Sequence, residues 1–264
     1  MTGNRQYALF FDIDGTLVSF CTHRIPESTV EALTQAKANG SEVYIATGRP
    51  PIIITNLGDI EHLIDGFIST NGALCYIGRD VVAYQPIDKL DVLTCVQDSK
   101  DKNYGLIVVG RDDVAVLDPT GCVDRIFRHF LNIREFDRPA PLDKVLQQDV
   151  LQLTAFFSSD YEKEFMTRMP HCVSGRWHPE FTDITSFKAD KGKGIQAIAS
   201  YKGFDSSRTI AFGDGGNDLS MIKQAGIGVA MANATDELKL HADYITSSVD
   251  EDGIMNALRH FQII

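Results

Sequence analysis

Apolar residues fall into short continuous runs and longer stretches with helical spacing. The first run, Ala8–Phe11, is uniformly apolar and ends in acidic residues, which is typical of a strand buried on both faces of a parallel sheet. Between Glu27 and Ala38 the apolar positions Val30, Leu33 and Ala36 recur at helical spacing. We therefore predict a strand followed by a helix at the start of the chain.

The same pattern of strands returns in both terminal parts of the chain. Each apolar run there leads into a polar or glycine-containing loop, and the resulting strand, helix, strand order favours right-handed parallel crossovers. The further predicted strands are Val43 to Ala46, Gly66 to Ser69, Thr209 to Phe212, Gly228 to Met231 and Tyr244 to Thr246. The pattern predicts an α/β fold with a doubly wound parallel sheet, as in a Rossmann fold.

The middle of the chain has a different order of elements. Helices there are interspersed with predicted strands at Leu106 to Val109, Val114 to Leu117, Val150 to Phe157, Val173 to Trp177 and Phe181 to Thr185. This order is typical of an α+β unit with its own apolar core, and 264 residues exceed the usual length of one domain. We expect a core domain of residues 1–82 and 185–264, interrupted by an inserted domain of residues 83–184.

Composition and charge exclude several classes of partner. The net charge is −11, and neither Lys nor Arg forms a run that would neutralise a nucleic-acid backbone. The apolar stretch after Tyr7 is interrupted by Asp12 and Asp14, so it is too short and too charged for a signal or membrane segment. We expect a cytoplasmic protein that binds neither nucleic acid nor membranes, while the oligomeric state stays open.

Cysteine and histidine spacing gives no metal motif. The chain has five cysteines without C-x-x-C spacing, which fits reduced thiols better than a disulfide framework. His171, Cys172 and His178 lie close together along the chain, but their spacing matches no structural zinc motif. The sequence therefore predicts no zinc site there.

Polar side chains gather where the predicted parallel strands end. Ligands of open α/β sheets bind beyond the carboxyl ends of the strands. Carboxylates that come close together there repel one another unless a cation holds them, and a set of oxygen ligands favours Mg²⁺. The strand ends carry Asp12, Asp14, Thr47, Asn71, Asp214, Asn217 and Asp218. The sequence therefore predicts a magnesium site at this edge.

Glycines in the same loops favour a phosphate ligand. They leave backbone N–H groups uncovered, and the helix predicted after Asn217 directs its positive end toward the same place. The glycines are Gly15, Gly48, Gly213, Gly215 and Gly216. We expect the metal site to bind a phosphorylated small metabolite.

Four motifs in order resemble those of the haloacid dehalogenase-like phosphatases. Asp12-Ile13-Asp14-Gly15-Thr16 is similar to their D-x-D-G-T motif, and Thr47 stands where their second motif has its Thr. Lys191 before Gly192 resembles the third motif, for which Lys193 is the competing residue, and Gly213 to Asp218 resembles the fourth. The Thr70 to Ala73 turn and the insertion resemble the Cof-type subgroup, which implies that residues 83–184 form an α/β cap of the C2 type.

The chemistry and the resemblance lead to the same roles. Asp12 is the predicted nucleophile, which forms an aspartyl phosphate, and Asp14 is the predicted acid and then base. Thr47, Gly48 and Lys191 are expected to bind phosphate oxygens. The resemblance further implies that Mg²⁺ is bound by Asp12, the backbone carbonyl of Asp14, and Asp214. It also implies that Asp218 supports the metal site and that Asn217 contacts phosphate.

Further residues are candidates for contact with the rest of the substrate. Arg49 follows the phosphate loop and would reach substrate or pair with acids, and Asn71 is a turn residue or a substrate contact. In the inserted domain, Arg176, Trp177, His178 and Asp183 combine an aromatic face with polar groups, which suits a sugar ring. Trp177 would equally fill the core of that domain. We expect the inserted domain to determine which ester is used.

The sequence thus predicts a Mg²⁺-dependent phosphatase that hydrolyses small phosphate esters such as sugar phosphates. Two alternatives use the same groups. A phosphosugar mutase or phosphotransferase would pass the phosphoryl group to a second substrate, and a regulatory protein would accept it without turnover. Steady release of phosphate without an acceptor distinguishes the first hypothesis from both alternatives.

Overall fold

The computed structural model describes residues 6–130 and 138–264. The chain divides into two compact units. Unit 1 comprises Met1–Arg49, Ile54–Ala83 and Asp190–Ile264, and unit 2 comprises Pro50–Ile53 and Tyr84–Ala189.

In chain order the strands are β1 Ala8–Phe11, β2 Glu42–Ala46, β3 Ile64–Ser69, β4 Leu74–Ile77, β5 Asp80–Tyr84, β6 Leu106–Gly110, β7 Val114–Leu117, β8 Val150–Ala155, β9 Cys172–His178, β10 Phe181–Ser186, β11 Thr209–Gly213, β12 Ile227–Ala230 and β13 Tyr244–Ile245. The α-helices are α1 Glu27–Ala38, α2 Lys89–Lys102, α3 Leu142–Val145, α4 Ser159–Met166, α5 Lys191–Lys202, α6 Leu219–Gln224, α7 Asp236–His241 and α8 Gly253–His260, and a π-helical segment covers Asp124–Phe130.

Unit 1 is built on a largely parallel sheet. Within the described residues it has eight strands in the order β13-β12-β11-β1-β2-β3-β4-β5. Strands β13 to β3 of this order run parallel, and β4 pairs antiparallel with β3. The chain leaves β1 for β2 on one side and returns as β11 on the other side, so the strand order reverses at β1. Parallel sheets of this kind open a crevice at the reversal point.

The alternation of side chains along β1 explains why helices cover both faces of this sheet. Leu9 and Phe11 pack in one apolar cluster with residues of α1 and α8. Ala8 and Phe10 pack in another cluster with residues of α5, α6 and α7. Because successive side chains of a strand point to opposite faces, a continuous apolar run needs a helix layer on each side. The predicted mixed α/β fold with a parallel-sheet core is confirmed.

Unit 2 contains a separate antiparallel sheet with a core of its own. Within the described residues its strand order is β7-β6-β8-β10-β9, and the strand pairs are antiparallel. On β6, Leu106 and Val108 pack with side chains of α2, α3 and α4, whereas Ile107 and Val109 belong to a second cluster with Phe156 and Phe181. The apolar run of β6 therefore contributes side chains to the apolar clusters on both faces of the sheet.

Among the described residues, no helix combines the length and apolar character that a membrane crossing requires. The five cysteines are all free thiols.

Candidate active site

The site lies at the carboxyl edge of the sheet of unit 1, where the parallel register aligns several strand ends. Phe11, the last residue of β1, is opposite Ile45 on one side and Phe212 on the other. The residues that follow, Asp12 among them, therefore enter loops at the same edge. Thr47 follows β2 and Asp214 follows β11.

A buried lysine lies between two carboxylates at this edge. Lys191 Nζ donates to Asp12 Oδ1 over 2.6 Å and to Asp218 Oδ1 over 2.5 Å. Lys191 and Asp218 are fully buried, and Asp12 is 7% exposed. Such charge-assisted bonds hold the Asp12 carboxylate in a fixed position. With both acids ionised the network would have one positive and two negative charges, so it is short of positive charge.

Burial perturbs the titration of these groups. It raises the pKa of Asp12 to about 7, Lys191 opposes the shift, and the charges of Asp218 and Asp14 add to it. Burial alone would lower the pKa of Lys191, but Asp12 and Asp218 raise it above its usual value. Lys191 therefore remains charged at neutral pH, while Asp12 needs more positive charge to ionise fully.

The start of helix α5 determines which lysine reaches the site. Asp190 is the N-cap and accepts the backbone N–H of Lys193 over 2.8 Å. Lys191 then occupies the first helical position with its side chain buried at Asp12. The side chain of Lys193 is half exposed and pairs with Asp190 over 3.0 Å. The structure thus brings Lys191, and not its competitor Lys193, to Asp12.

Asp214 and Asp218 are connected through the turn that contains both. Asp218 Oδ2 accepts the backbone N–H groups of Asp214 and Gly215, over 3.0 and 2.9 Å. Asp214 Oδ1 accepts the Thr16 hydroxyl over 2.9 Å. Burial, together with the charges of Asp12 and Asp218, raises the pKa of Asp214 well above its usual value. Asp214 therefore also lacks a full counter-charge.

The carboxylate group fits a divalent cation. Asp12, Asp214 and Asp218 each offer an oxygen, and these oxygens lie within 4.8 Å of one another. The donors are all oxygens, which suits Mg²⁺, and the raised pKa values of Asp12 and Asp214 show that positive charge would be accommodated. Both Asp218 oxygens already accept hydrogen bonds, so Asp218 is better suited to orienting Lys191 and the turn than to binding a metal directly.

Gly15 lets the loop after β1 approach Asp214 closely. Its φ is +87°, and a Cβ added there would lie 2.3 Å from Asp214 Oδ2. Glycine is the residue that combines this left-handed conformation with so little space. The Gly15 carbonyl also accepts the side-chain amide of Asn233 over 2.8 Å. This loop is therefore held against Asp214 from two directions.

Asp14 is paired with Arg49 in a bidentate geometry. Arg49 Nε donates to Asp14 Oδ2 and an Arg49 terminal nitrogen donates to Asp14 Oδ1, both over 2.7 Å. Arg49 is 8% exposed, and its backbone N–H donates to Thr47 Oγ1 over 3.0 Å. Of the two interpretations of Arg49, the structure supports pairing with an acid. The predicted metal contact of Asp14 concerned its backbone carbonyl and stays a prediction.

The turn after β3 holds Asn71 near the fourth motif. Thr70 and Asn71 both have positive φ, at 48° and 51°, which is strained for a β-branched residue such as Thr70. The Thr47 carbonyl accepts the backbone N–H of Asn71 over 3.0 Å. Asn71 Oδ1 accepts the side-chain amide of Asn217 over 3.2 Å. The Thr47 carbonyl thus positions Asn71, and the side chain of Asn71 in turn holds Asn217.

The predicted site residues of unit 2 are engaged within that unit. Arg176 Nε pairs with Glu162 Oε2 over 2.7 Å, and Asp183 Oδ1 accepts the Thr154 hydroxyl over 2.7 Å. His178 stacks on Phe181 with ring centroids 5.0 Å apart. Trp177 belongs to β9, but its side chain lies outside the described part of the structure. Contact of these residues with substrate stays a prediction.

Sequence reasoning overlooked several residues that support the site. Thr16, the last residue of the D-x-D-G-T motif, binds Asp214, and Asp190 caps the helix that carries Lys191. An Asp directly before a helical stretch is a recognisable N-cap signal. Asn233 reaches Gly15 over a separation of 218 residues, and no local pattern indicates such a contact.

Comparisons with known proteins define the family. The family model for haloacid dehalogenase-like hydrolases matches residues 9–258. A solved sugar phosphatase of HAD subclass IIB is 44% identical, with a TM-score of 0.93, and the match covers 98% of this chain and all of that one. YkrA of Bacillus subtilis is 32% identical over 97% of this chain and 98% of its own. Pyridoxal phosphate phosphatase YbhA of Escherichia coli is 29% identical, over 92% of this chain and 94% of its own.

The mixed α/β fold, the acids and lysine at the carboxyl edge of the sheet, and the similarity to these proteins together define an enzyme of the phosphatase class. The chain belongs to the haloacid dehalogenase-like hydrolase family, and the resemblance to its Cof-type members is confirmed. The protein is accordingly a phosphatase.

Proposed function

We propose that the protein hydrolyses small sugar phosphates with Mg²⁺ and forms an aspartyl phosphate on Asp12. The observation that carries the proposal is the Lys191 ammonium group, which is fully buried and bonded to both Asp12 and Asp218. Burial of a charged lysine costs free energy unless an opposite charge pairs with it. Here its charge lies at the nucleophile, where a phosphoryl group brings further negative charge.

In the first step, an oxygen of Asp12 attacks phosphorus and the bond from phosphorus to the sugar oxygen breaks. Lys191 orients the carboxylate and offsets the charge of the phosphoryl oxygens. Backbone N–H groups of the glycine loops, with Thr47, Gly48 and Asn217, are the proposed donors to those oxygens. Water then attacks phosphorus, and inorganic phosphate leaves the regenerated Asp12.

Asp14 is the proposed proton donor to the sugar oxygen and the later base for water. Its bidentate pairing with Arg49 fixes the position of the Asp14 carboxylate before reaction. Each Asp14 oxygen keeps a further lone pair beside the Arg49 N–H group that it accepts, so Asp14 can exchange a proton with substrate while Arg49 holds it. Arg49 therefore controls the position of Asp14 rather than contributing its own proton.

We propose that Mg²⁺ is bound by Asp12 and Asp214, with the backbone carbonyl of Asp14 as a further ligand. Asp218 supports this set through Lys191 and the Asp214 turn. The cation supplies positive charge that neutralises the phosphate and the ligand carboxylates. The raised pKa values of Asp12 and Asp214 support this assignment, since both acids lack a full counter-charge.

The sugar phosphate assignment is supported by the similarity to the subclass IIB sugar phosphatase, at 44% identity over the length of both chains. Pyridoxal phosphate phosphatase, at 29% identity, acts on a different small ester. The common feature is a small phosphorylated metabolite. We propose that unit 2 selects among such esters, because the catalytic candidates Asp12, Asp14 and Lys191 all belong to unit 1.

The proposal is tested by release of inorganic phosphate from a panel of hexose and pentose phosphates with Mg²⁺ and without an acceptor. Steady turnover that EDTA abolishes and Mg²⁺ restores is expected. Asp12→Asn should eliminate turnover, while Asp65→Asn, which removes the half-buried partner of Lys37, should not. A single burst of phosphorylation without release would indicate a regulatory protein, and transfer that requires a second sugar would indicate a mutase or phosphotransferase.

A further inference from the structure

Unit 2 contains a second cluster of metal-ligating side chains, separate from the acids of unit 1. His171 and Cys172 lie in and directly after the turn that precedes β9. Asp88 and Asp91, from the start of helix α2, approach His171 so that the ligand atoms of these three residues lie within 4.8 Å of one another. The spacing of His171, Cys172 and His178 indicates no zinc motif by itself, but the fold adds two carboxylates that are distant in sequence.

One carboxylate oxygen is the centre of this cluster. Asp91 Oδ2 lies 3.3 Å from His171 Nδ1 and 3.5 Å from Cys172 Sγ. In a tetrahedral zinc site, bonds of about 2.0–2.2 Å to nitrogen and oxygen and about 2.3 Å to sulfur give ligand-to-ligand distances of about 3.3–3.6 Å. The Asp91–His171 and Asp91–Cys172 pairs thus have the separations of neighbouring ligands of one zinc ion. Cys172 is not one of the three mutually close residues and contacts them through Asp91.

Burial and access also suit a cation at this position. Asp91 is 4% exposed, and a buried carboxylate favours a neighbouring positive charge. The His171 side chain is 57% exposed, which leaves a route for an ion from solvent. Asp88 uses Oδ1 to accept the Leu90 N–H over 2.8 Å and cap α2, so its Oδ2 is the oxygen assigned to the cation.

We propose that Asp88, Asp91, His171 and Cys172 form a binding site for Zn²⁺ or a similar borderline divalent cation. Imidazole and thiolate ligands favour such ions over Mg²⁺. On binding, the thiol of Cys172 loses its proton to solvent and binds as thiolate. The cation would connect the start of α2 with the start of β9 and stabilise unit 2.

The test is calorimetric titration of Zn²⁺ into the full-length protein with Mg²⁺ in excess, so that the acids of unit 1 are occupied. One zinc per chain is expected. His171→Ala should weaken zinc binding by at least about tenfold, the lower end of what loss of a ligand-orienting partner costs. His178→Ala, at the far end of β9, is the matched control and should bind zinc like wild type. Absence of zinc binding, or equal binding by His171→Ala and wild type, would overturn the proposal.

Cobalt provides a second readout that depends on sulfur. Co²⁺ bound to a thiolate has a sulfur-to-cobalt charge-transfer absorption, which the oxygen ligands of unit 1 cannot produce. The band should appear in wild type and in Cys122→Ser, and should be lost in Cys172→Ser. Persistence of the band in Cys172→Ser would refute the assignment of Cys172. Asp91→Asn is not used, because Asp91 also accepts the His171 backbone N–H over 3.0 Å and its loss would disturb folding.

Discussion

At the scale of single residues, the contrast between Lys191 and Lys193 is the sharpest feature of the site. The two side chains leave the same turn of α5, but one is fully buried at Asp12 and the other is half exposed on Asp190. A buried charge in contact with the nucleophile affects the reaction, whereas an exposed ion pair contributes little.

Lys191→Met should therefore lower kcat/KM by about 100- to 1000-fold, the usual cost of one preorganised group at a developing charge. Lys193→Met should change it less than about twofold. Phosphate release under steady-state conditions measures both variants, and circular dichroism establishes that Lys191→Met is folded. Equal effects of the two substitutions would contradict the role given to Lys191.

Arg49 offers a second prediction at this scale. Lysine keeps the charge but lacks the planar fork that binds both oxygens of Asp14. Arg49→Lys should lower kcat for a sugar phosphate by about tenfold and for an aryl phosphate by less. Both esters share the later step in which Asp14 activates water, but only the sugar phosphate also needs the proton of Asp14 for its poor leaving group. An equal rise in KM for both esters, with kcat unchanged, would instead make Arg49 a substrate contact.

At the scale of elements, the loop between β1 and α1 depends on one glycine. Gly15→Ala would place a methyl group 2.3 Å from Asp214 Oδ2 at a φ of +87°. The substitution should destabilise the protein by more than about 1 kcal/mol and reduce turnover, since the loop would move away from Asp214. Urea denaturation and phosphate release measure the two effects.

Gly58→Ala, between β2 and β3, is the control for this substitution, because an added Cβ there has no neighbour within 4 Å among the described residues. It should leave activity and the free energy of unfolding nearly unchanged. If Gly15→Ala resembled Gly58→Ala, close approach of the loop would not be required for the site.

Helix α5 shows how an element connects stability with the site. Its N-cap Asp190 fixes where the helix begins, and the first helical residue, Lys191, then enters the acid cluster. A helix that began one residue later would rotate the lysine by about 100° around the helix axis. The cap therefore determines the charge at Asp12 without contacting it.

At the scale of the whole molecule, burial of acids should make metal binding depend on pH. The folded-state pKa of Asp12, about 7, lies above its usual value, so Asp12 of the metal-free protein is protonated below about pH 7. Mg²⁺ must then displace this proton, and its affinity should fall as pH decreases through 7, by about tenfold per pH unit for each proton displaced.

Titration of Mg²⁺ by calorimetry across this range, in buffers of different ionisation enthalpy, measures both the affinity and the proton release. Asp214, whose pKa is also raised, would add to the slope. A Mg²⁺ affinity that did not change between about pH 6 and about pH 8 would show that Asp12 does not bind the cation as a carboxylate.

The division into two units gives another prediction for the molecule as a whole. Arg176 and Asp183 make buried or half-buried contacts inside unit 2, so their substitution should destabilise that unit. His178→Ala is therefore the informative variant. If unit 2 selects the ester, His178→Ala should raise KM for sugar phosphates and leave hydrolysis of a small aryl phosphate nearly unchanged.

His129→Ala, which removes an imidazole of unit 2 that is 72% exposed, is the control for this comparison. It should leave both activities unchanged. An equal decrease for both esters in folded His178→Ala would exclude a selective role for that residue.

Local patterns in the sequence determined most of the secondary structure and the chemical class. Strand β1 and helix α1 have the predicted bounds, Ala8–Phe11 and Glu27–Ala38, because burial on both faces makes β1 uniformly apolar and burial of one face gives α1 apolar residues at helical spacing. Strands β4 and β5 are not among the predicted strands, because their mostly exposed and half-buried positions give weak alternation. Helix α8 is also absent from the predicted elements, although it supplies part of the core.

Contacts between distant parts of the chain were decided by the tertiary structure. The Lys191 to Asp12 bond joins residues 179 positions apart, Arg49 and Asp14 are 35 apart, and Asp91 meets Cys172 from 81 positions away. The sequence determined that acids and glycines occupy strand ends, because those positions follow from local periodicity, whereas Lys191 was assigned through its resemblance to the third motif of the family. Which carboxylate each basic side chain contacts depends on strand register, helix caps and loop conformation. These are fixed only when the whole core packs.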